Sequence, residues 1–169
     1  MLRTRLHRAI TIVEVLVVIA LISIVAAVVA PNMSGWACEE SIKKNAMSVN
    51  YLLQRARNEA MNIDNNNVNR QILAILEGKT MNLYSIARGS CSKSIAIKVD
   101  YKTLDSGITA NPSNFQTCFL PDGTAIGSTL TLHGQCGGNN LKYKTEVFGA
   151  TGFIEGTFYN SGTGKWDNY

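Results

Sequence analysis

Apolar positions along the 169-residue chain fall into three regimes. From Ile10 to Ala30 they are nearly continuous: ITIVEVLVVIALISIVAAVVA is interrupted only by Thr11, Glu14 and Ser23. As a helix rising 1.5 Å per residue, this stretch reaches roughly 30 Å, enough to span the hydrocarbon core of a bilayer. From Ser34 to Ile63 the apolar residues Ile42, Ala46, Val49, Leu53, Ala56, Ala60 and Ile63 recur alternately four and three apart. That spacing predicts an amphipathic helix with one stripe on a core. Ser41, Lys43, Lys44, Asn50, Gln54, Arg57 and Asn58 fall mainly off the stripe, and Asp64-Asn65-Asn66-Asn67 ends the helix. Pro31 lacks an amide hydrogen, so it is expected to bend or locally melt the spine between the two stretches.

From Val68 onward the period shortens to β-rich segments separated by Gly, Asn, Asp and Ser. The predicted strands are Gln71 to Leu76, Met81 to Ala87, Ser94 to Lys102, Phe115 to Leu120, Ser128 to His133, Leu141 to Phe148 and Phe153 to Tyr159. Turns are marked by Glu77-Gly78-Lys79, Asp105-Ser106-Gly107, Asn111-Pro112, Pro121-Asp122-Gly123 and Gly137-Gly138-Asn139-Asn140. The expectation is an α+β fold, a long helix laid on an antiparallel sheet. Its divisions are a leader over 1–9, an apolar helix over 10–30 and a head over 31–169. Within the head, the helix covers about 34–63 and the β-rich part about 68–160.

Composition adds little to this picture beyond one asymmetry. The formal charge is +4, but Arg3, Arg5 and Arg8 all precede the apolar run, where targeting signals carry positive charge. Without them 13 Lys+Arg stand against 12 acids, so the remainder is near neutral at +1. Lys43-Lys44 and the Arg55, Arg57 pair sit beside Glu39, Glu40 and Glu59 and read as solvated helix faces, not as a basic arm for nucleic acid. A secretory signal would have a shorter core of about 7–15 residues and no acid within it. A lipoprotein signal fails because Cys38 lies eight residues beyond Ala30.

Glu14 is the informative residue of the apolar run, because a carboxylate at the centre of a membrane costs about 2.5 kcal/mol or more and needs a partner. Its setting is a basic leader ending in Arg8-Ala9, then Ile10-Thr11-Ile12-Val13-Glu14-Val15-Leu16, with Pro31 at the twenty-second position from Ile10. This resembles the type IV pilin and type II secretion pseudopilin family. The resemblance implies that a prepilin peptidase cuts between Ala9 and Ile10 and N-methylates Ile10; the family usually has Gly where Ala9 stands. It further implies that Glu14 pairs with the terminal amine of a neighbouring subunit, that Pro31 is the helix-kinking proline, and that the subunit waits in the bacterial inner membrane before entering a periplasmic or extracellular filament. The partners so implied are other pilin or pseudopilin subunits, the peptidase and the membrane. Burial of an ion pair yields register more than stability, since desolvation absorbs much of the Coulomb gain.

In the second half, Phe119-Leu120-Pro121-Asp122-Gly123-Thr124-Ala125, Ser128-Thr129-Leu130-Thr131-Leu132 and a strand leading to Thr151-Gly152 resemble the minor pilins and pseudopilins that share the GspH/FimT domain. Arg55-Ala56-Arg57-Asn58-Glu59-Ala60 also looks like this group, which implies a priming or tip subunit. DNA-uptake members carry Gly-Arg-x-Arg near the end, where this chain has Gly152-Phe153-Ile154-Glu155. Paired guanidiniums that could grip phosphate are therefore missing. Lys142, Lys144 and Lys165 are left as weak DNA-contact candidates, and nucleic acid is not an expected partner. The alternatives carried forward are a DNA-uptake minor pilin and a membrane-anchored binding module that never polymerises.

Cys38, Cys91, Cys118 and Cys136 are an even set in a head expected outside the cytoplasm, which favours disulfides. Of the three pairings, Cys118 with Cys136 is preferred, because a hairpin between them would bring its ends together; Cys38 with Cys91 would then staple helix to sheet. No CxxC occurs and the head holds a single histidine, His133, so neither a metal nor another cofactor is expected. Scattered carboxylates and one histidine do not suggest an enzyme either. Trp36 fits an interfacial anchor, and Trp166 with Tyr169 a strand cap or a tail.

Overall fold

The computed structural model describes residues 11–62, 70–87, 89, 91–93, 96–136, 138–160 and 163–168; the side chains of 28–34 and 160 are outside that description. Among the described residues one helix, α1 (Ile12–Met61), is followed by nine strands: β1 (Arg70–Glu77), β2 (Thr80–Ala87), β3 (Ala96–Thr103), β4 (Ile108–Asn111), β5 (Gln116–Phe119), β6 (Ser128–Cys136), β7 (Asn139–Val147), β8 (Ile154–Asn160) and β9 (Lys165–Asn168). The order of one long helix and then antiparallel strands is the predicted α+β class. All seven predicted strands are present, with shifted ends.

Three features depart from expectation. The helix runs unbroken for 50 residues through position 31, so of the two expectations for Pro31, a bend or local melting, it is the melting that is not seen. The strands form two sheets instead of one, a four-stranded β3-β2-β1-β5 and a five-stranded β4-β6-β7-β8-β9. Two short strands were not foreseen: β4 lies between two turn signals, and β9 lies where a cap or tail was read. Each has only four residues, too few for the alternation of side chains to register, and is held by a longer neighbour.

The predicted stripe makes the core. Ile42, Ala46, Val49, Leu53, Ala56 and Ala60 are all buried, joined by Asn45 and Leu52, while Ile63 lies outside the described residues. Above the stripe sit Ile72, Leu76, Met81 and Leu83 of the first sheet and Leu130, Leu132, Val147 and Ile154 of the second. The two sheets differ in how they are covered. In β1 the run Gln71 to Ala74 is buried without alternation, because the far face of the first sheet carries a second small core of Leu73, Tyr84, Ile86 and Cys118. β6 alternates buried Leu130, Leu132 and Gly134 with more open residues, the pattern of a sheet with one face on the core.

The preferred cysteine pairing is overturned. The disulfides are Cys38–Cys136 and Cys91–Cys118. The hairpin that would have joined Cys118 to Cys136 does not form, since β5 pairs with β1 in the first sheet whereas β6 pairs with β4 and β7 in the second. Strand exchange between sheets carries the two cysteines apart. Cys118 is left on the outer face of the first sheet under the β2–β3 connection, which supplies Cys91, and the end of β6 meets α1 at Cys38.

Candidate functional site

The first half of α1 begins at Thr11, whose extended backbone makes it the N-cap and whose Oγ1 accepts the Glu14 amide at 3.3 Å. Thr11 and Glu14 have the Thr-x-x-Glu spacing of a capping box, and an acid in the first turn also faces the positive end of the helix dipole. The Thr11 bond is to the backbone amide of residue 14, so the local role of the Glu14 side chain is its charge in the first turn, which the sequence reading missed although the Thr-x-x-Glu spacing was there to be seen. Ser23, the other polar interruption, donates to Ile19 O at 2.8 Å and so is satisfied within the helix. Ala9 and Ile10 lie outside the described residues, and Pro31 is described only as helical backbone.

Every residue from Thr11 to Ala27 is exposed, with Ile12 at 78%, Leu16 at 60% and Ile24 at 64%. Among the described residues no helix is long and apolar enough to cross a membrane. Apolar residues with described side chains stop at Ala27, so the full run read over 10–30 extends beyond them at both ends.

Polar contacts fasten the second half to the head. Asp105, in the β3–β4 loop, accepts from Ser41 Oγ at 2.6 Å and from Asn45 Nδ2 at 2.8 Å. These bonds, that of Ser41 first, hold its carboxyl below the ordinary range. Arg55 pairs with Glu59 at 2.7 Å and with Asp100 on β3; the Glu59 bond is the larger cause that raises the guanidinium's pKa. Arg57 Nη2 donates to Thr151 O at 3.1 Å, tying the β7–β8 turn to the helix. Of the 55–60 segment singled out earlier, both arginines thus make head contacts.

Gly152 sits in that turn at φ +59°, and a Cβ there would lie 2.2 Å from Gly123 O. The segment after it is structural in character: Phe153 is exposed, Ile154 is buried and opens β8, and Glu155 follows it directly opposite Glu146 of β7. Glu155 therefore stands where the second arginine of Gly-Arg-x-Arg would be, with Glu146 opposite it, and Phe153 stands where the first would be.

The three lysines do not converge. Lys142 and Lys144 share the face of β7 turned away from α1, while Lys165 alternates with Trp166 on β9 and turns to the other side. Lys142 Nζ lies 5.6 Å from the Tyr159 ring centroid, and Lys144 Nζ lies 5.5 Å from that of Trp166 and 3.3 Å from Glu146. His133 is on the same face, held toward neutrality by burial first and by Lys142 second. Among the described residues no group of three or more His, Cys, Asp or Glu could hold a metal ion.

Residues 4–30 fit the family described as the prokaryotic N-terminal methylation motif. The matched stretch holds Arg5, Arg8, Ala9, Ile10, Glu14 and the apolar run, and supports a type IV pilin-like or pseudopilin subunit. No curated protein and no solved structure matches the chain.

Proposed function

We propose that this chain is a minor pilin or pseudopilin, a structural subunit of a type IV pilus or type II secretion filament placed in a priming or tip complex. The observation that carries the reading is the helix surface from Ile12 to Ala27, apolar but for Glu14 and Ser23 and left exposed by every described residue of the head. A contiguous apolar surface of this size does not rest in water. A bilayer covers it first, and the helices of neighbouring subunits cover it after assembly. The methylation-motif match supports the route into that state: cleavage between Ala9 and Ile10, N-methylation of Ile10, and a cationic amine for a neighbour's Glu14 to neutralise. With its terminus freed, the helix would begin close to the Thr11 cap.

Mass spectrometry of the protein from its native host tests this directly. The expected mature chain begins at N-methylated Ile10; a mature chain retaining Met1 overturns the reading and leaves the non-polymerising membrane-anchored module. Glu14→Gln tests the pairing, because it keeps size and hydrogen bonding and removes charge. Its incorporation into filaments is expected to fall at least about tenfold, with membrane insertion retained. Normal incorporation of Glu14→Gln removes ion pairing from the mechanism.

A further inference from the structure

The face of the five-stranded sheet turned away from α1 is organised in rows that cross all its strands. Thr109 pairs with His133, His133 pairs with Lys142, Lys142 reaches the Tyr159 ring, and Tyr159 pairs with Trp166. At about 4.8 Å between strands this row is about 19 Å long. The next row is Asn111, Thr131, Lys144, Thr157 and Asn168. The ten side chains of these two rows are hydroxyls, amides, two lysines, one imidazole and two aromatic rings; Glu146 and Glu155 face one another in the row beyond, and a ligand must draw Lys144 from Glu146, 3.3 Å away, as well as from Trp166. Beside the first row, His133, Gln135, Asn140 and Lys142 contribute to a shallow cavity of about 440 Å³.

Two details mark this face as more than a solvated surface. Tyr159 and Trp166 meet edge to face at a centroid distance of 5.4 Å, so the rings brace one another on the outermost strands. Lys144, on β7, reaches Trp166, on β9, and must pass across β8 at Thr157, the residue directly opposite it. Thr157 is only 7% exposed, and its Oγ1 is buried with no hydrogen-bond partner. A buried hydroxyl left unsatisfied costs about 1–3 kcal/mol, so a site that can satisfy it gains by doing so.

We propose that this face binds an acidic polysaccharide, a chain of pyranose rings bearing carboxylates. Carboxylates of the ligand draw Lys142 and Lys144 off the ring faces. The exposed face of Trp166 then receives the apolar C–H side of a sugar ring. Sugar hydroxyls exchange hydrogen bonds with the amide and hydroxyl groups of the two rows, which can both donate and accept. Moving Lys144 also opens Thr157 Oγ1 to the ligand.

Nucleic acid fits the same face less well. In a phosphate strand affinity follows the number of phosphates neutralised. Among the described residues two lysines serve this face and Lys165 turns away from it, while Glu146 and Glu155 at the next level of the ladder repel any polyanion, so charge alone holds no ligand here. A sugar chain with several hydroxyls on every ring makes the neutral contacts that the rows offer and a phosphate strand does not.

The test uses the full chain in detergent micelles with Trp36→Phe, which leaves Trp166 as the sole tryptophan and makes its fluorescence a reporter of the face. Titration with hexagalacturonate is expected to change Trp166 emission saturably, and hexagalactose, its uncharged counterpart, is expected to bind at least about tenfold more weakly. Lys142→Gln together with Lys144→Gln should weaken hexagalacturonate by about tenfold or more without shifting the melting temperature. Trp166→Phe, which keeps a ring on β9, should weaken it less, as followed by calorimetry. Absence of saturable binding to hexagalacturonate at millimolar concentration overturns the proposal. So does equal affinity for hexagalactose, or tighter binding of an oligothymidylate of the same length, which would assign the face to single-stranded nucleic acid.

Discussion

Leu16 and Leu53 belong to the same helix, yet Leu16 is 60% exposed and Leu53 is wholly buried. The first half of α1 is apolar but for Glu14 and Ser23, is rich in β-branched residues that are not strong helix formers, and has no packing partner among the described residues. The second half confines its apolar residues to one stripe and spends that stripe on two sheets. A common backbone conformation therefore conceals two different sources of helical stability. Tertiary packing holds the second half; in the proposed subunit an apolar surrounding would hold the first, because there its backbone bonds must close internally.

The junction between the halves offers the largest test of this comparison. Cys38–Cys136 ties the start of the head-bound half to β6 over a sequence separation of 98, whereas Cys91–Cys118 closes a separation of 27 within the head. In the chain-entropy account, replacing both cysteines by serine should cost the head about 4.7 kcal/mol for the first pair and about 3.6 kcal/mol for the second. Thermal unfolding in micelles checks the order, and a larger loss for the second pair would show that cover over the small core of Leu73, Tyr84 and Ile86 outweighs loop length.

One chemical change applied to each half sharpens the contrast. Leu53→Ala should destabilise the head by about 3 kcal/mol, from lost burial and the cavity left behind. Leu16→Ala should move the same melting transition by less than about 0.5 kcal/mol, because nothing in the head touches Leu16. A matching loss from Leu16→Ala would mean that the two halves are energetically coupled.

Close approach of the second half to β6 predicts a smaller effect of the opposite sign in volume. A Cβ on Gly134 would lie 2.1 Å from Ile42 Cδ1, so Gly134→Ala overpacks the contact. The flexible end of Ile42 can yield in part, and the expected loss is about 1–3 kcal/mol. Combining it with Ile42→Val, measured by urea unfolding, should recover part of that loss.

The smallest expected effect is a pH dependence confined to the head-bound half. Asp105 has its pKa lowered by Ser41 and Asn45, so its bonds to α1 contribute fully above the ordinary carboxylate value and are lost as pH falls below about 4 toward the lowered folded value. Because Asp105 is exposed, the decrease in melting temperature should be slight. Asp105→Asn should flatten that part of the profile, and an unchanged acid limb would place the dependence on other carboxylates, such as Glu77 with its bonds from Lys93, Tyr84 and Asn82.

Much of this molecule follows from local pattern. The apolar run, the stripe from Ile42 to Ala60 and seven strands are each written in consecutive residues, since helix and strand place every third to fourth or every second side chain on one face. The arginines before the apolar run and Glu14 within it are legible for the same reason: each is a statement about neighbours in sequence. Tertiary structure decided the rest. Whether β5 joined β1 or β6 depended on competition between distant strands, and that choice fixed both disulfides, against the reading from loop closure alone. The crossing rows of His133, Lys142, Tyr159 and Trp166 depend on register between four strands, and a shift of one residue would send each side chain to the opposite face. The separation of Lys165 from Lys142 and Lys144 has the same cause. Sequence specifies which residues can share a strand face, but only the assembled ladder sets which strands, and therefore which side chains, stand beside one another.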